Sequence, residues 1–312
     1  MKACINEQIE ARSFFGRIIW IGCLILSLYT GNLYAQEDTV DLDLEEAEKI
    51  KPVKNTFESI WLIDAQTVMV PVKGTFEADF QHRFGTWDQG YDDFYGVFAS
   101  SNIRFGVDYV PVDRLLIGFG ITKFNSLWDV YGKYAILRQM KGGGSAVSLS
   151  YYVNAAVDSR EEEDTNFEEF SDRWSYFHQV MIARKFSDKF SVQLSGNYSW
   201  FNFKEHHYDD EGNDLGQDQY GQFSASALAR YKISNTIGVI FEYDLPITDQ
   251  EFIDPESNLS FGVEFVTSSH AFQLFIGNFQ SLVPQYNHTY NSNNFGDNEI
   301  LIGFNITRLW NF

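Results

Sequence analysis

The sequence predicts an all-β chain: an antiparallel transmembrane β-barrel of about 12 strands, with short turns at one end and long loops at the other. Three observations predict it. Apolar and polar residues alternate with period two in stretch after stretch from Gly74 onward. The connections between these stretches alternate in length. Aromatic residues make up 17% of the 312 positions, 29 of them Phe, which suits aromatic girdles at two membrane interfaces.

In the first stretch Phe76, Ala78, Phe80 and Phe84 share one face, and Glu77, Asp79, Gln81 and Arg83 share the other. Next, Ile103, Phe105, Val107 and Tyr109 oppose Asn102, Arg104, Gly106 and Asp108. Leu115, Ile117, Phe119 and Ile121 oppose Gly118, Gly120 and Thr122. Trp128, Val130, Tyr134 and Ile136 oppose Asp129, Tyr131 and Lys133. Val147, Leu149, Tyr151 and Val153 oppose Ser148, Ser150, Tyr152 and Asn154. Trp174, Tyr176, Val180 and Ile182 oppose Ser175, Gln179 and Lys185. Phe190, Val192, Leu194 and Tyr198 oppose Ser191, Gln193, Ser195 and Asn197. Phe223, Ala225, Ala227 and Tyr231 oppose Gln222, Ser224, Ser226 and Arg230. Ile237, Val239, Phe241 and Tyr243 oppose Gly238, Glu242 and Asp244. Leu259, Phe261, Val263 and Phe265 oppose Gly262 and Glu264. Phe272–Phe279 is a strand with no assigned facing, and in the last stretch Ile300, Ile302, Phe304 and Ile306 oppose Glu299, Gly303 and Asn305. A tilted strand crosses a bilayer in roughly 9–11 residues, which these stretches supply. Trp61–Val70 either adds a further strand or lies inside as a plug.

The connections 110–114, 140–146, 187–189, 232–235 and 268–270 are short. Those at 85–101, 158–172, 204–217, 246–257 and 280–298 are long, and only 125–127 is short on the long side. A soluble sandwich has no reason to sort its loops by parity, whereas outer-membrane barrels have short periplasmic turns and long outer loops. Lipid offers no hydrogen bonds, so a sheet within it must close on itself.

Toward the amino terminus, Lys2, Arg12 and Arg17 precede the apolar run Ile18–Leu28, and Leu33-Tyr34-Ala35 follows. This is the secretory pattern, with cleavage expected after Ala35. The run is about half of the roughly 20 residues a spanning helix needs. Both cysteines, Cys4 and Cys23, lie in this leader. Residues 36–55 then read as an acidic periplasmic tail with one short helix at Leu44–Ile50, and residues 56–312 as the barrel. At the other end Trp310 and Phe312 share the outward parity of Phe304 and Ile306, the aromatic ending that barrel-assembly machinery reads. Arg308 interrupts that series where it can snorkel to the interface.

His82-Arg83-Phe84-Gly85, Asn102-Ile103-Arg104-Phe105-Gly106, Lys133-Tyr134 with Leu137-Arg138-Gln139, and Asn298-Glu299-Ile300 through Phe304-Asn305-Ile306-Thr307-Arg308 carry a family resemblance. Together they resemble a family of uncharacterised bacterial outer-membrane β-barrel proteins, a domain of unknown function, over roughly residues 56–312. The resemblance implies a barrel and its location in the cell outer membrane. It implies no catalytic residue.

The inward parity gathers the candidate luminal residues: Glu77, Asp79, Arg83, Arg104, Asp108, Asp129, Lys133, Arg230, Glu242, Asp244, Glu264 and Glu299. They form either the lining of a narrow pore or a plug of ion pairs. Acids predominate among them, so a pore would suit small cationic or neutral solutes. The alternative is a structural, adhesive or partner-binding surface barrel with a filled lumen. The net charge of −20 argues against nucleic acid as a partner. His206 and His207, in an acidic outer loop, are weak metal candidates, because adjacent side chains point apart in extended chain. The remaining histidines, His82, His178, His270 and His288, accompany no nucleophile motif. Gly142-Gly143-Gly144 sits in a turn with no following helix to cradle phosphate. Neither an enzyme nor a cofactor is expected, though a hydrolase at the outer rim is a third reading.

Overall fold

The computed structural model describes residues 50–311. The leader, most of the acidic tail with its expected helix, and Phe312 of the expected assembly signal lie outside the described residues.

Twelve strands run β1 Thr75–Thr86, β2 Asn102–Val112, β3 Leu115–Thr122, β4 Leu127–Leu137, β5 Ser148–Asp158, β6 Trp174–Lys185, β7 Phe190–Phe201, β8 Gly221–Lys232, β9 Ile237–Pro246, β10 Asn258–Val266, β11 His270–Gly277 and β12 Leu301–Asn311. Each pairs antiparallel with its sequence neighbours, and β12 pairs with β1 to close the barrel. Closure leaves no strand edge exposed, the condition lipid imposes. Residues 278–300, 202–220 and 159–173 make long connections at one end, whereas 113–114 and 267–269 are tight turns at the other.

The alternation read from the sequence sets the two faces. Outward residues such as Phe105, Val130 and Phe223 are more than half exposed, while their neighbours Arg104, Asp129 and Ser224 are buried. The facing of β11 is now assigned: Ala271, Gln273 and Phe275 point inward, and Phe272 and Leu274 outward. Trp310 packs on Phe76 at 5.6 Å and lies under the Arg308 guanidinium at 4.8 Å, at the outside of the short-turn end.

One expectation is corrected. Glu299 does not stand on the inward face of the last strand. β12 begins at Leu301 with a register shift against β1, and Glu299 belongs to the preceding loop, where its carboxylate accepts the Asn294 N–H at 2.7 Å. The described end of the tail is also less free than expected. Lys51-Pro52 pairs with Met140-Lys141 of a short-turn-end loop, and Val53 N donates to Gln139 O at 2.8 Å.

The chain from Phe57 to Val70 enters the barrel and fills its middle. Trp61-Leu62 and Ala65-Gln66 pair as a small hairpin, turning at Ile63-Asp64. This segment is a plug rather than a thirteenth strand. Phe57, Leu62 and Ile63 are fully buried, and Trp61 is 2% exposed. From the opposite end, the helix α1 Pro284–Tyr290 descends from the β11–β12 loop with Gln285, Asn287 and His288 buried. Proline at its first turn has no N–H to leave unpaired, which suits a helix start.

Candidate functional site

The wall grips the plug by its backbone. A two-stranded hairpin standing alone has edge N–H and C=O groups that must find partners once buried. Gln273 accepts the Ile63 N–H at 2.9 Å and donates to Trp61 O at 2.9 Å. Glu242 accepts the Asp64 N–H at 2.9 Å. Gln193 accepts the Val68 N–H at 2.8 Å and donates to Gln66 O at 2.8 Å. Lys133 Nζ donates to Gln66 Oε1 at 2.6 Å and Thr67 O at 3.0 Å. Arg83 and Asn305 both donate to Ile63 O, at 3.2 and 2.6 Å. Ile63 takes φ +57°, a conformation β-branched residues rarely adopt, and these three wall contacts to its N–H and C=O hold it there.

Two ion-pair groups organise the wall around this hairpin. Arg104 binds Asp129 at 2.9 Å and Asp79 at 3.1 Å, and its guanidinium lies 5.2 Å from the Trp61 ring and 5.5 Å from that of Tyr131. Asn154 donates to Asp129 at 3.0 Å, closing the group. Glycine at 118 and 120 makes room for it, because a Cβ there would strike the Tyr131 ring and the Arg104 guanidinium. Arg230 binds Glu264 at 2.6 Å, and Ser59 of the plug donates to the same carboxylate at 2.7 Å. Asp64, at the plug tip, faces Arg83 at 3.6 Å and accepts from Asn287 of α1. The plug and the helix therefore meet inside the barrel.

The sequence-derived luminal set is thus placed as follows. Glu77, Asp79, Arg83, Arg104, Asp108, Asp129, Lys133, Arg230, Glu242, Asp244 and Glu264 are all at most 7% exposed and point to the interior. Glu77 and Asp108 stand directly opposite each other across β1 and β2, with the Lys133 ammonium acting on both and the Tyr131 hydroxyl beside Asp108. Alternation did not reveal the apolar inward residues Leu116, Phe177, Met181, Leu228, Ile240 and Phe275, which form one core with the plug.

His206 and His207 do not converge. His206 faces Asp214 at 2.9 Å, whereas His207 faces Asp218 at 3.5 Å and stacks on Phe252. Among the described residues no group of three or more potential ligands gathers around a point. His82 stacks on Phe304 at the outer surface, and His178 bonds Tyr151 Oη at 2.6 Å. His288 lies 2.9 Å from Ser224 Oγ with Asp244 nearby, an arrangement that invites comparison with hydrolytic machinery. Its ring, on the buried face of α1, stacks on Phe177, and Ser224 is buried against it. A nucleophile there has no room for a substrate.

At the long-loop end a vestibule of about 450 Å³ opens above this seal, lined by Lys204, Arg160, Arg173, Phe201, Tyr286 and Tyr290 among others. Burial pushes the Lys204 ammonium down to about 8, with the Asp218 charge opposing the shift. It remains mostly charged at neutral pH.

A closed twelve-stranded sheet, apolar outside and self-filled inside, defines a membrane-bound β-barrel, and such barrels are outer-membrane proteins embedded in the lipid bilayer. Residues 57–310 match the family described as a membrane-bound beta barrel domain, DUF5777, and the chain belongs to that family. A search of the curated proteins finds no match. Among solved structures, the chain is similar to the NanC porin, at 11% identity and a TM-score of 0.48 over 76% of this chain and 99% of that one. It is also similar to the COG4313 outer membrane channel from Pseudomonas putida F1, at 13% identity and a TM-score of 0.45 over 78% of this chain and 97% of that one. The KdgM porin follows, at 9% identity and a TM-score of 0.42 over 76% of this chain and 99% of that one.

Proposed function

We propose that the protein is a sealed outer-membrane barrel that works as a surface receptor, binding at its outer vestibule without conducting. The carrying observation is the apolar inward wall. Leu116, Met181, Leu228, Ile240 and Phe275 are at most 2% exposed and pack with the plug. A water-filled path would uncover them, and each side chain of this kind contributes ~1.5–3 kcal/mol when buried. Polar wall groups would also lose their plug partners. The filled interior is therefore the stable one, and no chemistry beyond binding is required of it. On this reading the leader 1–35 directs export, and Trp310 and Phe312 direct barrel assembly.

A second reading is a gated channel for small cationic or neutral solutes, with the plug as its gate. The carboxylates of Glu77 and Asp108 favour it, since like charges directly opposite on paired strands are unfavourable, and Lys133, the cation near both, gives its hydrogen bonds to the plug. Planar bilayers separate the two. The full chain is expected to give no steady current in potassium chloride at any applied voltage. Stepwise steady conductance from purified protein overturns the receptor reading and leaves the gated channel.

A further inference from the structure

The vestibule contains a buried cation with no acceptor. Lys204 lies just beyond the outer end of β7 and is 4% exposed, and its Nζ has no hydrogen-bond partner. An ammonium carries three donors, and burying it unpaired is unfavourable. Two rings offset part of this: Nζ sits 4.4 Å from the Tyr290 centroid and 5.0 Å from that of Phe201. The acid whose charge acts on it, Asp218, is already engaged. Asp218 Oδ1 accepts the backbone N–H groups of Glu251, Phe252 and Ile253 at 3.0, 2.9 and 3.4 Å, and its Oδ2 faces His207.

The surroundings of Lys204 are as specific as the charge. Phe201, Tyr286 and Tyr290 form a cluster with ring centroids 5.0 to 5.9 Å apart, and all three line the cavity. Arg173, also in the lining, donates to Asp158 O and Arg160 O, with its guanidinium over Phe167. The vestibule thus brings an ammonium without a hydrogen-bond partner together with a cluster of aromatic rings. The lining also holds Asp158, Asp172, Glu205 and Asp218 beside its three bases, and among them Asp158 is paired with Arg160 and Glu205 accepts from Asn166.

We propose that the vestibule binds a small ligand bearing a carboxylate on a six-membered ring, with Lys204 taking the carboxylate and Tyr286 and Tyr290 packing against the ring face. This names the ligand class of the receptor reading and rests on it. Two sources share that chemistry, a sugar acid and an aromatic acid, and the probes distinguish them.

The test is titration calorimetry of the full chain in detergent with glucuronate, benzoate and, as the uncharged control, glucose. Saturable binding of glucuronate or benzoate, with glucose at least tenfold weaker, is expected, and whichever acid binds identifies the source. Lys204→Met is expected to weaken that binding at least tenfold without lowering the temperature of heat-induced unfolding. Should Lys204→Met fail to fold, Tyr290→Leu, which keeps the charge and removes the ring, is expected to weaken binding by a similar factor. Glucose binding as tightly as the acids, no binding of either acid, or undiminished binding in a folded Lys204→Met variant would each overturn the proposal. Absence of binding in a protein that is silent in bilayers removes the ligand class and leaves the seal. A conducting protein that binds the acid removes the receptor reading and leaves the site.

Discussion

Arg104→Met is expected to destabilise the barrel by about 3–5 kcal/mol, the range seen when one partner of a buried ion pair is removed. The variant leaves Asp79 and Asp129, both at most 3% exposed, facing one another without the guanidinium that lies between them. It also takes the cation from the faces of Trp61 and Tyr131. Lysine does not substitute, since the two donor directions that reach Asp79 and Asp129 come from one planar fork. Urea unfolding of the protein in detergent, followed by tryptophan fluorescence, measures the loss. Replacing Asp79 and Asp129 by Asn alongside Arg104→Met removes the stranded charges and is expected to recover part of it. A full-strength barrel carrying Arg104→Met alone would mean that this group is not the organiser of the wall.

Trp61→Ala is expected to cost about 3–5 kcal/mol, as for other large aromatic side chains truncated in a packed interior. Trp61 is 2% exposed and meets Tyr131 edge to face at 6.0 Å. The same urea titration reads the effect. Because Trp61 and Arg104 touch, the double variant is expected to lose less than the sum of the two. An additive result would separate plug from wall. A Trp61→Ala protein as stable as the parent would mean that the plug rests loosely in the barrel.

Much of the barrel was legible because side-chain parity and loop length are local properties of the chain. The faces of all strands but β11 and the inward set from Glu77 to Glu264 follow from period two, and the sorting of loops from their lengths. The plug was not legible in the same way. Trp61–Val70 reads equally as a strand or as an interior segment, and only the turn at Ile63-Asp64, fixed by Gln273, Arg83 and Asn305 from distant strands, decides between them. A usable signal was present in the positions that break the alternation. Leu116, Phe177, Met181, Leu228 and Ile240 occupy inward parity without polar groups, which a watery pore does not tolerate. In any single strand such a residue passes as noise, and only barrel closure brings them together around the hairpin. Glu299 misled for the opposite reason: parity was extended past the start of β12 into a loop. Lys204 could not be found from its neighbours, since its burial depends on Tyr290, far along the chain in α1.

Hydrogen exchange of the full chain in lipid nanodiscs, read at the amides of Ile63, Asp64 and Val68, tests the sealed interior most directly. Each of these N–H groups is held by a wall side chain, from Gln273, Glu242 and Gln193 respectively. A resident plug predicts exchange as slow as that of the barrel strands, because opening them requires the interior to come apart. Exchange as fast as in the outer loops would show a segment that leaves the lumen freely, and would contradict the seal.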